Sequence, residues 1–307
     1  MKEIHKTLNP DIYLYGMTVL STIHLLDGTY PEPDTYREIK ETYIIPGGET
    51  ANSAIVLANL GNKVKMDGPF LGAKTNEAIK NFCRKYNIDC SGLYFDPSFD
   101  GVQDLVLIDK HSRTVFGKFK SYFEGEKRWT KPDEAAMQSA KIISLDPFFG
   151  DESQFVAKYC TEINKKYITI DCSPESVIHK NSAATVISNE FIRNEFPKED
   201  IRILIKKYTE ASNGLVIFTF GAREILYCRK GGEIRRLVPY KVDVKSTLGA
   251  GDTFRAGVVY GVLNGLDDEN IVKFAAATAA SVCKRFPMAL DPPGIDEILE
   301  LIKSQSN

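Results

Sequence analysis

The 307-residue chain lacks the marks of several protein classes. No two of its six cysteines (Cys83, Cys90, Cys160, Cys172, Cys228, Cys283) have the C-x-x-C spacing of zinc and redox sites. The expectation is reduced thiols in a cytoplasmic protein. The four histidines, His5, His24, His111 and His179, share no ligand spacing, so no structural metal site is expected. No apolar run is long enough for a membrane-spanning helix, which needs about 18 residues or more. The opening "MKEIHKTLNPDIYLYGMTVL" has no small-residue cleavage site and is broken by Gly16, so it reads as a first strand, not a signal peptide. A net charge of −2 and the absence of a basic cluster argue against nucleic acid as a partner. Neither a repeat nor a low-complexity linker is present. What is there is ordinary core-forming material, 43% hydrophobic and 26% charged, enough for one large α/β domain with a small addition.

From about Ala140 onward, short β-branched runs alternate with amphipathic stretches. "KIISLD", "YITID", "TVISN" and "LVIFTF" predict strands, and "ESQFVAKYCTEINKK" and "KEDIRILIKKYTEASNG" predict helices. That pattern indicates a mainly parallel sheet with helices on both faces, a Rossmann-like three-layer core. Two further helices are predicted over Asp267–Arg285 and Ile295–Lys303, with "FPMALDPPG" between them as a loop. Two segments break the alternation. Thr35–Gly48 and Val102–Phe123 both read as extended, which predicts a small extra β-sheet made from insertions at about 30–46 and 100–123. Such a sheet would serve as a lid or as a dimer surface.

Two glycine loops carry the chemistry. In "STLGAGDTF" (Ser246–Phe254), Gly249, Ala250 and Gly251 precede or open a helix. Their N–H groups can converge on an anion, and the helix adds the positive end of its dipole. A carboxylate beside phosphate is repulsive, yet a phosphotransferase needs one as the base for an attacking hydroxyl. Asp252 is read either that way or as a helix cap. The loop is not a Walker A motif, because no G-K-[ST] occurs, and Phe254 stands where a dinucleotide fingerprint needs its last glycine. In "PGGETANSAIVLANLG" (Pro46–Gly61), Gly47 and Gly48 end an extended segment and Asn52 falls in the first turn of the next helix. Its amide either holds two sugar hydroxyls or supports the helix entry.

Together the two loops resemble the motifs of the ribokinase-like (PfkB) carbohydrate kinases, and "GPFLGA", "ITIDCSPE" and "IFTFGAREILYC" extend the likeness over nearly the whole chain. The resemblance implies one kinase domain over residues 1–307, with an α/β core and a β-lid. It implies ATP and Mg²⁺ as cofactors and a sugar or nucleoside alcohol as acceptor. By matched motif positions, Asp252 becomes the catalytic base, with Gly249, Ala250 and Gly251 in the anion hole. Gly47, Gly48 and Asn52 contact the acceptor. Asn189, Thr219 and Gly221 lie at the nucleotide.

Four positions depart from the family pattern. Ser21 stands where many members carry an aspartate for acceptor hydroxyls, which implies that ribose is a poor substrate. Ile192 replaces the glutamate of Asn-x-x-Glu, which helps organise Mg²⁺. Ser246 replaces an aspartate of a monovalent-cation site, which puts potassium activation in doubt. Glu224 replaces a glycine. Arg113 is read as a solvated lid residue or a phosphate or carboxylate contact. Trp129 is read as packing or as a pocket cover, and Arg255 carries no assignment. A sugar kinase is the leading reading, with a nucleoside kinase of the same fold or a non-catalytic sugar or nucleotide sensor as alternatives. A homodimer through the lid is expected.

Overall fold

The computed structural model describes residues 9–110 and 112–305, so His5 and His111 lie outside the described residues. Its strands relevant here are β1 (Ile12–Tyr15), β2 (Val19–Leu26), β3 (Ile39–Gly47), β4 (Val64–Asp67), β5 (Gln103–Ile108), β6 (Arg113–Gly117), β7 (Ile142–Leu145), β8 (Tyr167–Ile170), β9 (Ala184–Ser188), β10 (Leu215–Thr219), β11 (Ile225–Cys228) and β12 (Arg235–Leu237). The main sheet has the order β12-β11-β10-β9-β8-β7-β1-β4. It is parallel from β4 to β10, with β11 and β12 antiparallel at one edge. Strands β1, β7 and β8 are buried along their whole length, as continuous apolar runs covered on both faces must be.

Helices α1 (Glu49–Asn59), α2 (Asn189–Glu195), α3 (Ala250–Leu263) and α4 (Asp268–Cys283) position the site. On α1 the residues Thr50 to Leu57 are all buried, because the helix is enclosed by the sheet and α3. The sheet order reverses around β1, which lies between β4 and β7. Ligand crevices in open α/β sheets form beyond the strand ends at such a reversal.

The second sheet has four strands in the order β3-β2-β5-β6. Its extent differs from the sequence expectation in three ways. Its central strand β2 follows β1 after only three residues, so the two read in sequence as one apolar stretch. Residues 30–38 carry no strand, because Pro31 and Pro33 cannot donate to a ladder. Phe119–Glu124 is a short helix instead of extended chain, with Phe119, Tyr122 and Phe123 at helical spacing. The proline loop after α4 also holds one 3₁₀ turn, Met288–Leu290. Among the described residues no helix is long and apolar enough to cross a membrane. All six cysteines are free thiols.

Candidate active site

The stretch that opens α3 begins with a left-handed residue. Gly249 sits at φ 76° as the N-cap residue and offers no side chain to the first-turn amides. Ala250 N donates to the Thr247 carbonyl at 3.2 Å, so the N–H groups of Gly251 and Asp252 are the leading donors beside the positive end of a 14-residue helix. Asp252 is not the cap. Its Oδ2 accepts a hydrogen bond from Asn52 Nδ2 at 2.7 Å, and its backbone carbonyl accepts one from Ser53 Oγ at 2.9 Å. Two residues of α1 thus fix the start of α3 across 200 positions of sequence. Loss of water around the Asp252 carboxyl raises its pKa above the usual value. The Asn52 hydrogen bond and the charge of Arg255 pull it down, Asp146 pushes it up, and Arg113 pulls it down.

The start of α1 is equally constrained. Gly48 has φ 87°, and a Cβ there would lie 2.7 Å from the Met17 carbonyl oxygen. Beneath both helix starts lies a buried ion pair. Arg255 and Asp146 are fully shielded from solvent and bonded to each other. The guanidinium also donates to the Glu49 carbonyl and Ser53 Oγ. Asp146 Oδ2 accepts from Met17 N at 2.6 Å and Thr50 Oγ1 at 3.0 Å. This pair ties the ends of β1 and β7 to α1 and α3. Burial, then the nearby Asp146 and Asp252, push the Glu49 carboxyl up to about 8.

A cavity of about 400 Å³ opens above these residues. Its floor includes Gly47, Gly48, Glu49, Asn52, Gly249 and Asp252, and its far wall is the four-stranded sheet. Alternate residues of that sheet face inward: Val19, Ser21 and Ile23 of β2, Ile45 of β3, Asp104 and Val106 of β5, and Val115 of β6. Phe286, Pro287 and Met288 close one side. Arg113, at the start of β6, donates from Nη1 to the Thr247 carbonyl at 2.8 Å. It therefore bridges the lid to the loop before α3.

The predicted nucleotide residues lie at neighbouring strand ends and do not line this cavity. Asn189 opens α2, and its Oδ1 accepts from Arg223 at 3.2 Å. Thr219 ends β10 opposite Ser188, and Gly221 follows in the turn with φ 61°. Ile192, in place of the expected glutamate, is buried in the apolar layer with Leu204 and Phe218. Asp171 stands nearby, its carboxyl bonded to Ser188 and raised by burial to about 6.

The sequence of residues 10–291 matches the family model described as pfkB family carbohydrate kinase. The chain belongs to the pfkB family of carbohydrate kinases. It is therefore a phosphotransferase whose acceptor group is an alcohol. A 5-dehydro-2-deoxygluconokinase of Clostridium perfringens is 21% identical over 288 residues, with 84% of each chain covered. The solved nucleoside kinase of Methanocaldococcus jannaschii superposes with a TM-score of 0.77 at 20% identity, covering 97% of this chain and 99% of that one. The ribokinase of Arabidopsis thaliana, solved with ribose and ATP, gives 0.79 at 17% identity, covering 96% and 99%. These likenesses show the ribokinase-like fold.

In this carbohydrate kinase the two glycine loops meet through the Asn52–Asp252 hydrogen bond, and three residues left open by the sequence find their places. Arg255 is wholly buried in the ion pair with Asp146. Trp129 does not line the cavity; its Nε1 donates to Glu152 at 3.0 Å and its ring packs on Phe149. Glu224 pairs with Arg236 across the β11–β12 edge. Sequence reasoning missed Asp104, Glu49 and Asp146, each a carboxyl at or under the cavity.

Proposed function

We propose that this kinase transfers the γ-phosphoryl group of ATP to a hydroxyl of a sugar or sugar-like acceptor held in the cavity. The observation that carries this reading is the Asn52–Asp252 hydrogen bond, which joins the two glycine loops at the cavity floor. Asp252 takes the proton from the acceptor hydroxyl as that oxygen attacks phosphorus. The amides of Gly249, Ala250, Gly251 and Asp252 receive the charge that grows on the phosphoryl oxygens. Gly47, Gly48, Asn52 and Ser21 contact the acceptor, and Asn189, Thr219 and Gly221 contact the nucleotide. The Arabidopsis ribokinase bound to ATP supports the choice of donor.

Mg²⁺ fits the residues present. It prefers oxygen ligands, keeps several waters and uses one or two carboxylates along with substrate phosphates. Asp171 lies close enough to Asp252 and Glu190 for their charges to push its carboxyl up, so it is the residue we assign to the ion or its waters. When bound, the ion neutralises charge on the phosphates. No monovalent cation is proposed, because Ser246 brings no charge to the position of the family's aspartate; its Oγ accepts from Leu248 N at 3.1 Å.

We further propose one kinase domain over the whole chain with the four-stranded sheet as its lid, and a homodimer through that sheet. Its outer row, Ile44, Thr22, Leu105 and Phe116, runs across all four strands, with Ile44 and Phe116 exposed. Free thiols and ATP use fit a cytoplasmic enzyme. The test is ADP release from ATP with D-ribose, D-fructose, adenosine and 5-dehydro-2-deoxygluconate in turn. Turnover with one of the first two or the last supports the sugar kinase, turnover with adenosine alone makes it a nucleoside kinase, and binding without turnover makes it a sensor.

A further inference from the structure

The missing carboxylate at Ser21 has a counterpart one strand away. Strands β2 and β5 run parallel, and their register sets Asp104 directly beside Ser21 on the cavity face. Its neighbours on that face are apolar, Val19, Ile23, Ile45, Val106 and Val115, up to Arg113 at the far end. Asp104 Oδ1 is buried and has no hydrogen-bond partner. Removal from water raises the carboxyl's pKa, Ser21 alone eases it back, and no cation takes part. Asp104 also borders a second cavity that contains Lys74, Lys118 and Arg128. There Lys74 is paired with Asp100, and Arg128 with Asp96 and Glu126. A half-satisfied carboxylate in an apolar wall destabilises the fold unless a ligand completes its hydrogen bonds.

The other charged group on the face stands at its opposite end. Arg113 pairs with Ile108, whereas Asp104 pairs with Gly117, four residues along the same hairpin. At the usual rise per residue that is roughly 13 Å. Arg113 touches the loop before α3 and Asp252 feels its charge, so the cationic end belongs to the phosphoryl group. The anionic end faces whatever part of the acceptor lies farthest from the reacting oxygen.

We propose that Asp104 is the acceptor-specificity residue of this kinase, receiving hydrogen bonds from a distal hydroxyl of a neutral, polyhydroxylated acceptor. The proposal rests on the kinase reading above. Relative to Ser21, the carboxylate is displaced by one strand spacing, about 4.8 Å. An acceptor that reaches it is longer than a pentose. A sugar acid would set its own carboxylate against Asp104 and is rejected, although curated relatives of this chain phosphorylate such an acid by name.

The experiment compares wild type with Asp104→Asn and Asp104→Ala, using ATP with D-fructose, D-ribose, adenosine and 5-dehydro-2-deoxygluconate, and records melting temperatures without ligand. The expected result is that a neutral acceptor is preferred by the wild type. Both variants then raise the KM for that acceptor about 10- to 100-fold, the range of a hydrogen bond to a charged group. The KM for ATP stays within about twofold, the penalty against the acid shrinks, and Asp104→Asn melts no lower than wild type, as removal of an unmatched buried charge requires. Acceptor KM unchanged in both variants overturns the assignment, and so does a wild type that prefers the acid. Equal loss for acceptor and ATP together with a lower melting temperature marks a structural residue and overturns it too. A wild type that turns over no acceptor at all removes the kinase reading itself, and the assignment goes with it.

Discussion

Replacement of Asp252 by asparagine separates the chemistry of the site from its architecture. The side chain keeps its size. Asn52 Nδ2 donates to Asp252 Oδ2 at 2.7 Å, and an amide at position 252 can turn its own oxygen to the same donor. The helix start survives as well, because Gly249 is the N-cap residue and Asp252 caps nothing. Arg255 retains Asp146 as its partner, so no buried charge is orphaned. What disappears is a carboxylate that loss of water already holds above its usual pKa. The fold should therefore be as stable as wild type, or slightly more so.

The loss falls on proton transfer. An amide cannot accept the hydroxyl proton, and removal of a general base typically costs about 10²–10⁴ in rate. ATP affinity should hold or improve, since the anion-hole amides are backbone groups and one negative charge beside the phosphates is gone. The assay is kcat from ADP release on the preferred acceptor, with ATP affinity by calorimetry and melting temperature on the same samples. Retention of more than about a tenth of wild-type kcat, well above the range for base removal, would refute the assignment of Asp252.

Three other outcomes follow from the same geometry. Glu49 holds its proton up to about pH 8 in the folded chain but releases it near its ordinary value of 4.5 when unfolded, so stability falls as pH rises between those values. Glu49→Gln should flatten that slope and remove a weakening of ATP binding above about pH 8, both measurable by thermal melts and titrations across pH. Arg255→Met leaves the Asp146 carboxylate buried without its cation, at a cost of about 3–5 kcal/mol; denaturant melts should show it, with partial relief in acid, and an unchanged midpoint contradicts the ion pair's role. Sedimentation should show a dimer that Ile44→Lys with Phe116→Lys converts to a monomer of unchanged fold, whereas a wild type monomeric at all concentrations rules the lid interface out.

The core and the paired loops were legible because their signals are local. β-branched runs, glycines at forced backbone angles and an Asn or Asp at a fixed offset can each be read within a dozen residues. The lid was legible only in part. β2 hides behind β1, and the helix at Phe119–Glu124 hides its i, i+3, i+4 aromatics in a strand-like composition. Asp104 was not legible at all. Its meaning comes from pairing with Ser21, 83 positions away in sequence, and parallel pairing at that distance leaves no trace in either strand. Arg255 was opaque for a similar reason. Next to a catalytic aspartate, an arginine reads equally as a surface residue or a phosphate contact, and only its buried partner decides the matter.

That buried pair also resolves the apparent contradiction of a carboxylate set beside phosphate. Three carboxyl groups crowd the starts of α1 and α3: Glu49, Asp146 and Asp252. If all three were free anions, a nucleotide phosphate would be repelled from the helix ends that should attract it. Asp146 is matched by the Arg255 guanidinium and by two further donors. Glu49 stays protonated at neutral pH, because burial and its two acidic neighbours hold its proton to about pH 8. Of the three, Asp252 is left as the carboxyl that lines the cavity with no cation bonded to it, and the charge of Arg113 across the opening favours its ionised form. The site thus presents one basic oxygen to the acceptor and a ring of amides to the phosphate. Any change that ionises Glu49 or unpairs Asp146 should weaken nucleotide binding before it touches the acceptor.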